Sequence, residues 1–259
     1  MRISVLTENY AGIATMAEHG LSYLIEFDGK RILFDTGQSD MFLKNAIKLN
    51  INPEDIDMIV LSHGHFDHGN GLRYLAGGNL LCHPGCFARR FRKSDYSYIG
   101  LEFTRDKLKE KFNLTTSKEP FKISEKIFFQ GEIPRLTDFE SQKTSFVFED
   151  RNPDFVTDDS SLVLILSEGL FILTGCGHSG IVNTVENAKK ITGKKDIFGI
   201  MGGFHLKEVD FQLNETIRYL RKNNVRHIMP SHCTELPALS TFHINFASRQ
   251  ISTGDILNF

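Results

Sequence analysis

Apolar positions in the first part of the chain fall in short runs rather than at helical spacing. "RISVLTE" (2–8), "LSYLIEF" (21–27) and "KRILFDTG" (30–37) are rich in Ile, Leu, Val and Phe and are broken by Gly or Asp, which predicts a meander of strands. "FDGK" (27–30) suits the hairpin turn between the second and third. The period then changes. In "SDMFLKNAIKLNI" (39–51) Phe42, Ala46 and Leu49 share one face, and Ser39 and Asp40 stand where caps belong, so an amphipathic helix is expected. "DIDMIVLSH" (55–63) reads as a buried strand and "GNLLCHPG" (78–85) as another short one.

From Cys86 to about residue 118 charges and aromatics increase with no strict periodicity ("FARRFRKSDYSYIGLEFTRDKLKEKF"), and a capping insertion at about 86–118 is expected. The second half repeats the earlier rhythm. Strands are predicted at "FKISEKIFFQG" (121–131), "SLVLILSEG" (161–169), "LFILTG" (170–175), "DIFGIMGG" (196–203) and "VRHIMP" (225–230), with helices at Ile181–Ile191 and "FQLNETIRYLRKNN" (211–224). Ser167, Glu168 and Gly169 interrupt the apolar stretch 162–175, making it a hairpin rather than a membrane span. No low-complexity linker intervenes, so the pattern argues for a single α/β domain over 1–259, its helices covering paired sheets.

Composition narrows the function. Thirty Lys and Arg against 32 Asp and Glu give a net charge of −2, with no basic stripe for nucleic acid. The N-terminus lacks the pattern of a secretory signal and no run is long enough for a membrane helix, so a cytoplasmic protein with a small-molecule partner is expected. The four cysteines, Cys82, Cys86, Cys176 and Cys233, form no CxxC pair, and free thiols or a single metal ligand are the readings left. Oligomeric state is not legible, because an interface patch and a core pattern look alike.

The chemical signal is "HGHFDH" (63–68), which places three of the ten histidines and an aspartate within six residues at a strand end. Gly64 and Gly69 show that the chain is already turning there. A tight turn can aim two imidazoles at one ion and the following carboxylate and imidazole at a second. Zinc, iron and manganese accept such a mixture of nitrogen and oxygen donors.

In these residues the chain resembles the metallo-β-lactamase fold superfamily, whose HxHxDH signature is intact as His63, His65, Asp67 and His68. The resemblance takes in Asp35 of "ILFDTG", a strand-end motif at Cys176 and a late histidine in "PSHC". It implies a four-layer αββα sandwich of mixed sheets with two divalent metal ions at one edge, zinc first among them and iron or manganese as alternatives. Glu132 of "GEIPR" stands where many members carry a third histidine, and it is either a ligand or a turn residue. Cys176 of "LTGCGHSG" takes the place of a bridging aspartate, as in some β-lactamases of the superfamily, or is simply a small buried residue.

His178 and His232 are the remaining ligands that the resemblance implies, and Cys233 is expected to be inert. His205 of "MGGFHL" is assigned to the substrate side of the site, although a metal shell or a satisfied histidine under a loop would also explain it. His19 and His83 are weaker candidates; His227 and His243 read as ordinary. Arg135 and the cations of "RRFRK" (89–93) are candidates for pairing a phosphate, or else a solvated basic face. Together "EHGLSYLIE", "GEIPR", "GCGHSGIVN", "MGGFHL" and "PSHCT" resemble a narrower branch of prokaryotic proteins similar to 7,8-dihydropterin-6-methyl-4-(β-D-ribofuranosyl)aminobenzene-5'-phosphate synthase.

The activity so implied is a metal-dependent hydrolase of a phosphoester or ester, with Asp67 catalytic. No GxSxG competes as a nucleophile. The alternatives are a transferase like that synthase, and a metal- or ligand-binding module without catalysis.

Overall fold

The computed structural model describes residues 1–53 and 55–259. In chain order it runs β1 (Arg2–Thr7), β2 (Ser22–Phe27), β3 (Lys30–Phe34), α1 (Met41–Lys48), β4 (Met58–Val60), α2 (Phe66–Gly69) and β5 (Gly78–Cys82). There follow β6 (Arg90–Arg92), α3 (Arg105–Lys109), β7 (Phe112–Thr116), β8 (Phe121–Lys122), β9 (Ile127–Phe129) and β10 (Phe146–Phe148). The remainder is β11 (Ser161–Leu166), β12 (Gly169–Thr174), α4 (Ile181–Thr192), β13 (Ile197–Gly203), α5 (Phe211–Lys222), β14 (His227–Ser231), α6 (Leu236–Phe246) and β15 (Ile256–Asn258). The chain divides into two compact units. The first is Met1–Lys118 with Ser145–Asp154 and Ile251–Phe259, the second Glu119–Thr144 with Phe155–Gln250.

The first unit is built on a seven-stranded mixed sheet, β15-β1-β2-β3-β4-β5-β7. Its antiparallel half is the predicted meander, with Asp28 and Gly29 both at positive φ between β2 and β3, the conformation a two-residue hairpin needs. From β3 to β7 the neighbours are parallel, so each connection must cross over the sheet. α1 makes the first crossover. It buries Phe42 and Ala46, and the Asn45 amide between them donates to the carbonyls of Leu6 (2.9 Å) and Met16 (2.8 Å). Phe42 and Ala46 join Leu24, Leu33, Leu61, Leu72 and Leu80 in one apolar core.

Part of the stretch expected as a capping insertion belongs to this sheet. Phe112–Thr116 is its outer strand, parallel to β5, because Phe112 drives into the core. β6 instead pairs with β10 in a separate two-stranded ribbon, tied by an ion pair buried on both sides, Arg90 Nε to Asp154 Oδ2 at 3.3 Å.

The second unit has a six-stranded mixed sheet, β14-β13-β12-β11-β9-β8. β11 and β12 form the hairpin about Ser167 and Glu168, while β12, β13 and β14 run parallel with α4 and α5 as crossovers. α4 ends at Gly193, whose φ of 68° closes the last turn. Val185, Ala188, Leu213, Leu220, Phe204 and Phe242 fill the core between helices and sheet. The stretch expected as one strand over 121–131 is two short ones, β8 and β9, paired antiparallel. α6 was not predicted. Among the described residues, no helix is long and apolar enough to cross a membrane.

Candidate metal centre

The histidine cluster begins three residues beyond β4, where the strand has ended and the chain turns into α2. Gly64 is required there: a Cβ at this position would lie 2.0 Å from the carbonyl oxygen of Cys86. His63 and His65 are thereby thrown to the same side. Their rings meet edge-on with centroids 4.5 Å apart, and His63 Nε2 stands 2.9 Å from His65 Nδ1. One residue past β3, Asp35 is fully buried in a left-handed conformation (φ 58°), which a short polar side chain tolerates.

Asp35 organises the cluster. Its Oδ1 accepts from the Ser62 amide and its Oδ2 from the Ser62 hydroxyl, both at 2.7 Å, and Oδ2 also lies 2.7 Å from His68 Nδ1. The Ser62 hydroxyl has one proton, and an ionised carboxylate can only accept it. The 2.8 Å contact of His63 Nδ1 to Ser62 Oγ is therefore donated by the imidazole. A neutral His63 so held has its lone pair on Nε2, facing His65; a neutral His68 held by Asp35 likewise has its lone pair on Nε2, 3.7 Å from Asp67 Oδ2. Asp67 also meets His19 Nε2 at 3.1 Å, and the His19 side chain is largely solvent-exposed.

Two donor pairs result, His63 with His65 and Asp67 with His68. Metal–nitrogen bonds of about 2.0–2.1 Å put two ligands of one tetrahedral ion roughly 3.3 Å apart, and both pairs approximate that spacing. Imidazole fixed by a carboxylate through its other nitrogen is the usual support of a metal ligand. The donor set of the first unit therefore fits divalent metals.

In the second unit the candidates all follow the parallel strands: Cys176 and His178 after β12, His205 after β13, His232 and Cys233 after β14. His205 (φ 48°) and His232 (φ 52°) are both left-handed, a costly conformation for such residues that tends to mark functional positions. The His178 and His205 rings lie 4.3 Å apart. The loop of His178 is anchored by Asp159, which accepts from the Ser179 amide at 2.8 Å. Burial pushes the Asp159 carboxyl up to about 6, against the lowering effects of that amide and of Arg135.

Cys176, His232 and Cys233 bring ligand atoms within 4.8 Å of one another. The Cys233 thiol donates to the Cys176 carbonyl at 3.3 Å. Burial acts to raise its pKa, yet hydrogen bonds to Cys176 and His205 and the charges of His232 and His205 hold it well below the usual thiol range.

Glu132 is exposed just after β9. The Arg135 guanidinium donates to protein acceptors, Ser141 Oγ at 2.8 Å and the carbonyls of Phe155 (2.7 Å) and Val156 (3.1 Å), and so ties down a loop. His83 accepts from the Gly85 amide and caps a short turn, and His243 binds the Ser248 carbonyl. Sequence reasoning set Cys233 aside and passed over Asp159 and Glu140. The adjacency of Cys233 to His232 was the available signal.

Residues 16–78 match the Metallo-beta-lactamase superfamily. The chain is 38% identical over 246 residues to an uncharacterized protein of Methanocaldococcus jannaschii, covering 92% of each. It is 34% identical over 286 residues to the 7,8-dihydropterin-6-methyl-4-(β-D-ribofuranosyl)-aminobenzene-5'-phosphate synthase of the same organism, covering 100% of this chain and 97% of the synthase. The crystal structure of Tm1679, a metal-dependent hydrolase of the β-lactamase superfamily, superposes with a TM-score of 0.89 at 30% identity, covering 100% of this chain and 99% of that one.

Proposed function

Because the chain belongs to the metallo-β-lactamase superfamily, we propose that it is a metal-dependent hydrolase acting on a phosphoester or ester of a small molecule. Two divalent ions, zinc first among them, are expected, with His63, His65, Asp67 and His68 as the candidate ligands of the first unit and Cys176, His178 and His232 as those of the second. The observation that carries this reading is the buried carboxylate of Asp35, which orders Ser62, His63 and His68 so that two imidazoles turn their Nε2 atoms towards further donors. Such ions supply Lewis acidity and lower the pKa of a coordinated water towards neutrality.

The protein's own contribution is orientation and proton handling. Asp35 and Ser62 fix the imidazoles, so little reorganisation is needed when substrate arrives. Asp67, held by His19 at 3.1 Å, takes the proton of the attacking nucleophile, and the exposed His19 passes it to solvent. Support for hydrolysis comes from the similarity to Tm1679.

The whole-length similarity to the dihydropterin-related synthase favours a second reading, group transfer at the same residues. Metal content by plasma mass spectrometry, on protein purified without added metal or chelator, is expected to give two equivalents that His63→Ala loses. Turnover of a model phosphodiester or ester would then support hydrolysis. Turnover of a dihydropterin substrate alone would replace hydrolysis with transfer, and no metal in the wild-type protein would overturn both.

A further inference from the structure

The carboxyl ends of β12 and β14 flank β13, and the cysteines that follow them are drawn together across it. Adjacent strands lie about 4.8 Å apart, so these two are separated by roughly 9.6 Å, wider than the Cα separation of about 4.4–6.8 Å in a relaxed disulfide. Contact across that gap needs the middle strand to have no side chain in the way. β13 ends in Gly202 and Gly203. A Cβ on Gly203 would stand 2.4 Å from the Gly175 carbonyl oxygen, 3.0 Å from Cys176 Cα and 2.7 Å from Cys233 Sγ. The Cys233 thiol thus occupies the space that the glycine leaves, and its sulfur lies against the Cys176 backbone.

The result is a compact donor set on one sheet edge: two sulfurs and one imidazole nitrogen, with all ligand atoms within 4.8 Å of one another. Zinc–sulfur bonds of about 2.3 Å and zinc–nitrogen bonds of about 2.0–2.1 Å place sulfur pairs of a tetrahedral site roughly 3.8 Å apart and sulfur–nitrogen pairs roughly 3.6 Å apart. The observed grouping is compatible with those spacings, and both thiols are free.

We infer that Cys233 is a metal ligand, giving one ion of the centre two thiolates, Cys176 and Cys233, together with His232. On binding, each thiol loses its proton to solvent and its sulfur lone pair bonds to the ion; nothing is oxidised. Two thiolates bias that position towards thiophilic ions such as zinc, cobalt or cadmium and against magnesium or calcium. The inference rests on the metal-centre reading above.

Cobalt(II) substitution tests it on the full chain, because thiolate-to-cobalt charge transfer in the near ultraviolet grows with the number of sulfur ligands. Cys233→Ser is expected to halve that absorption per bound ion, Cys176→Ser to do the same, and the double variant to abolish it. If Cys233→Ser leaves the absorption unchanged while Cys176→Ser removes it, the inference is overturned and the metal reading stands. If the wild-type chain takes up no cobalt, both fall.

Should the variants fail to fold, thiol titration of the wild-type protein decides the matter. Cys82, Cys86 and Cys176 are all buried while Cys233 is partly exposed, so the native protein offers a thiol reagent Cys233 first. Zinc loading is expected to protect it. A Cys233 that stays reactive in the zinc-loaded protein, or an intact mass showing a disulfide after reducing purification, would overturn the assignment.

Discussion

The Asp35 carboxylate lies 2.7 Å from His68 Nδ1, and both side chains are fully excluded from solvent. This contact fixes the His68 tautomer and, through Ser62, that of His63. Asp35→Ala removes the acceptor of three bonds and leaves buried donors unmet, at about 1–3 kcal/mol each where they find no other partner. Loss of an orienting partner of this kind typically costs about 10–100-fold in metal affinity. The expected outcome is weaker zinc binding in chelator competition together with a lower denaturant midpoint; unchanged affinity would show that the imidazoles are held by other contacts.

Gly64 separates the first two histidines, and its absent Cβ is what lets the Cys86 carbonyl approach. The obstacle is backbone, which cannot swing aside as a flexible side chain would. Gly64→Ala should therefore displace the turn, costing about 1–3 kcal/mol by overpacking and lowering the melting temperature by several degrees. Thermal unfolding of the two proteins side by side checks this.

Glu140 reaches the start of α4 from 42 residues upstream and accepts from the amides of Val182 and Asn183, both at 2.9 Å. Burial raises its carboxyl pKa despite those bonds and one from Thr137. A carboxyl raised in the folded state keeps its proton after the unfolded chain has released its own, so stability falls as pH rises from about 4.3 through the raised value. Glu140→Gln cannot ionise and should flatten that part of the profile. Denaturant titrations of both proteins between pH 4 and 8 read the difference, and parallel profiles would remove Glu140 as the cause.

α6 contributes to the core through Phe242, fully buried and edge-on to Phe204 with centroids 5.5 Å apart. Phe242→Ala should destabilise by about 3–5 kcal/mol. A loss below about 1 kcal/mol in urea unfolding would mean that this helix adds little to the second unit.

Periodicity made the meander, α1, the β11–β12 hairpin and the α4–β13–α5–β14 succession legible, because each is a local alternation of apolar and polar residues. It failed for α6, whose Leu236 and Ile244 are exposed at 70% and 82% while Ala238 and Phe242 are buried, so no clean apolar face marks it. It also failed for β7, where Asn113 points outward from a segment crowded with charge. Residue types and spacing in "HGHFDH" were enough to single out four candidate ligands, since Gly64 and the turn constrain neighbours in sequence.

By itself, then, the sequence determined the kinds of donor atom present and the short elements carrying them. Only the tertiary structure decided which donors meet and what orients them. Asp35 finds His68 across 33 residues, Glu140 caps a helix 42 residues away, and Cys233 reaches the Cys176 carbonyl across 57. Such contacts depend on strand order and on the space left by a glycine in the intervening strand, and neither is encoded in the spacing of residues near to one another along the chain.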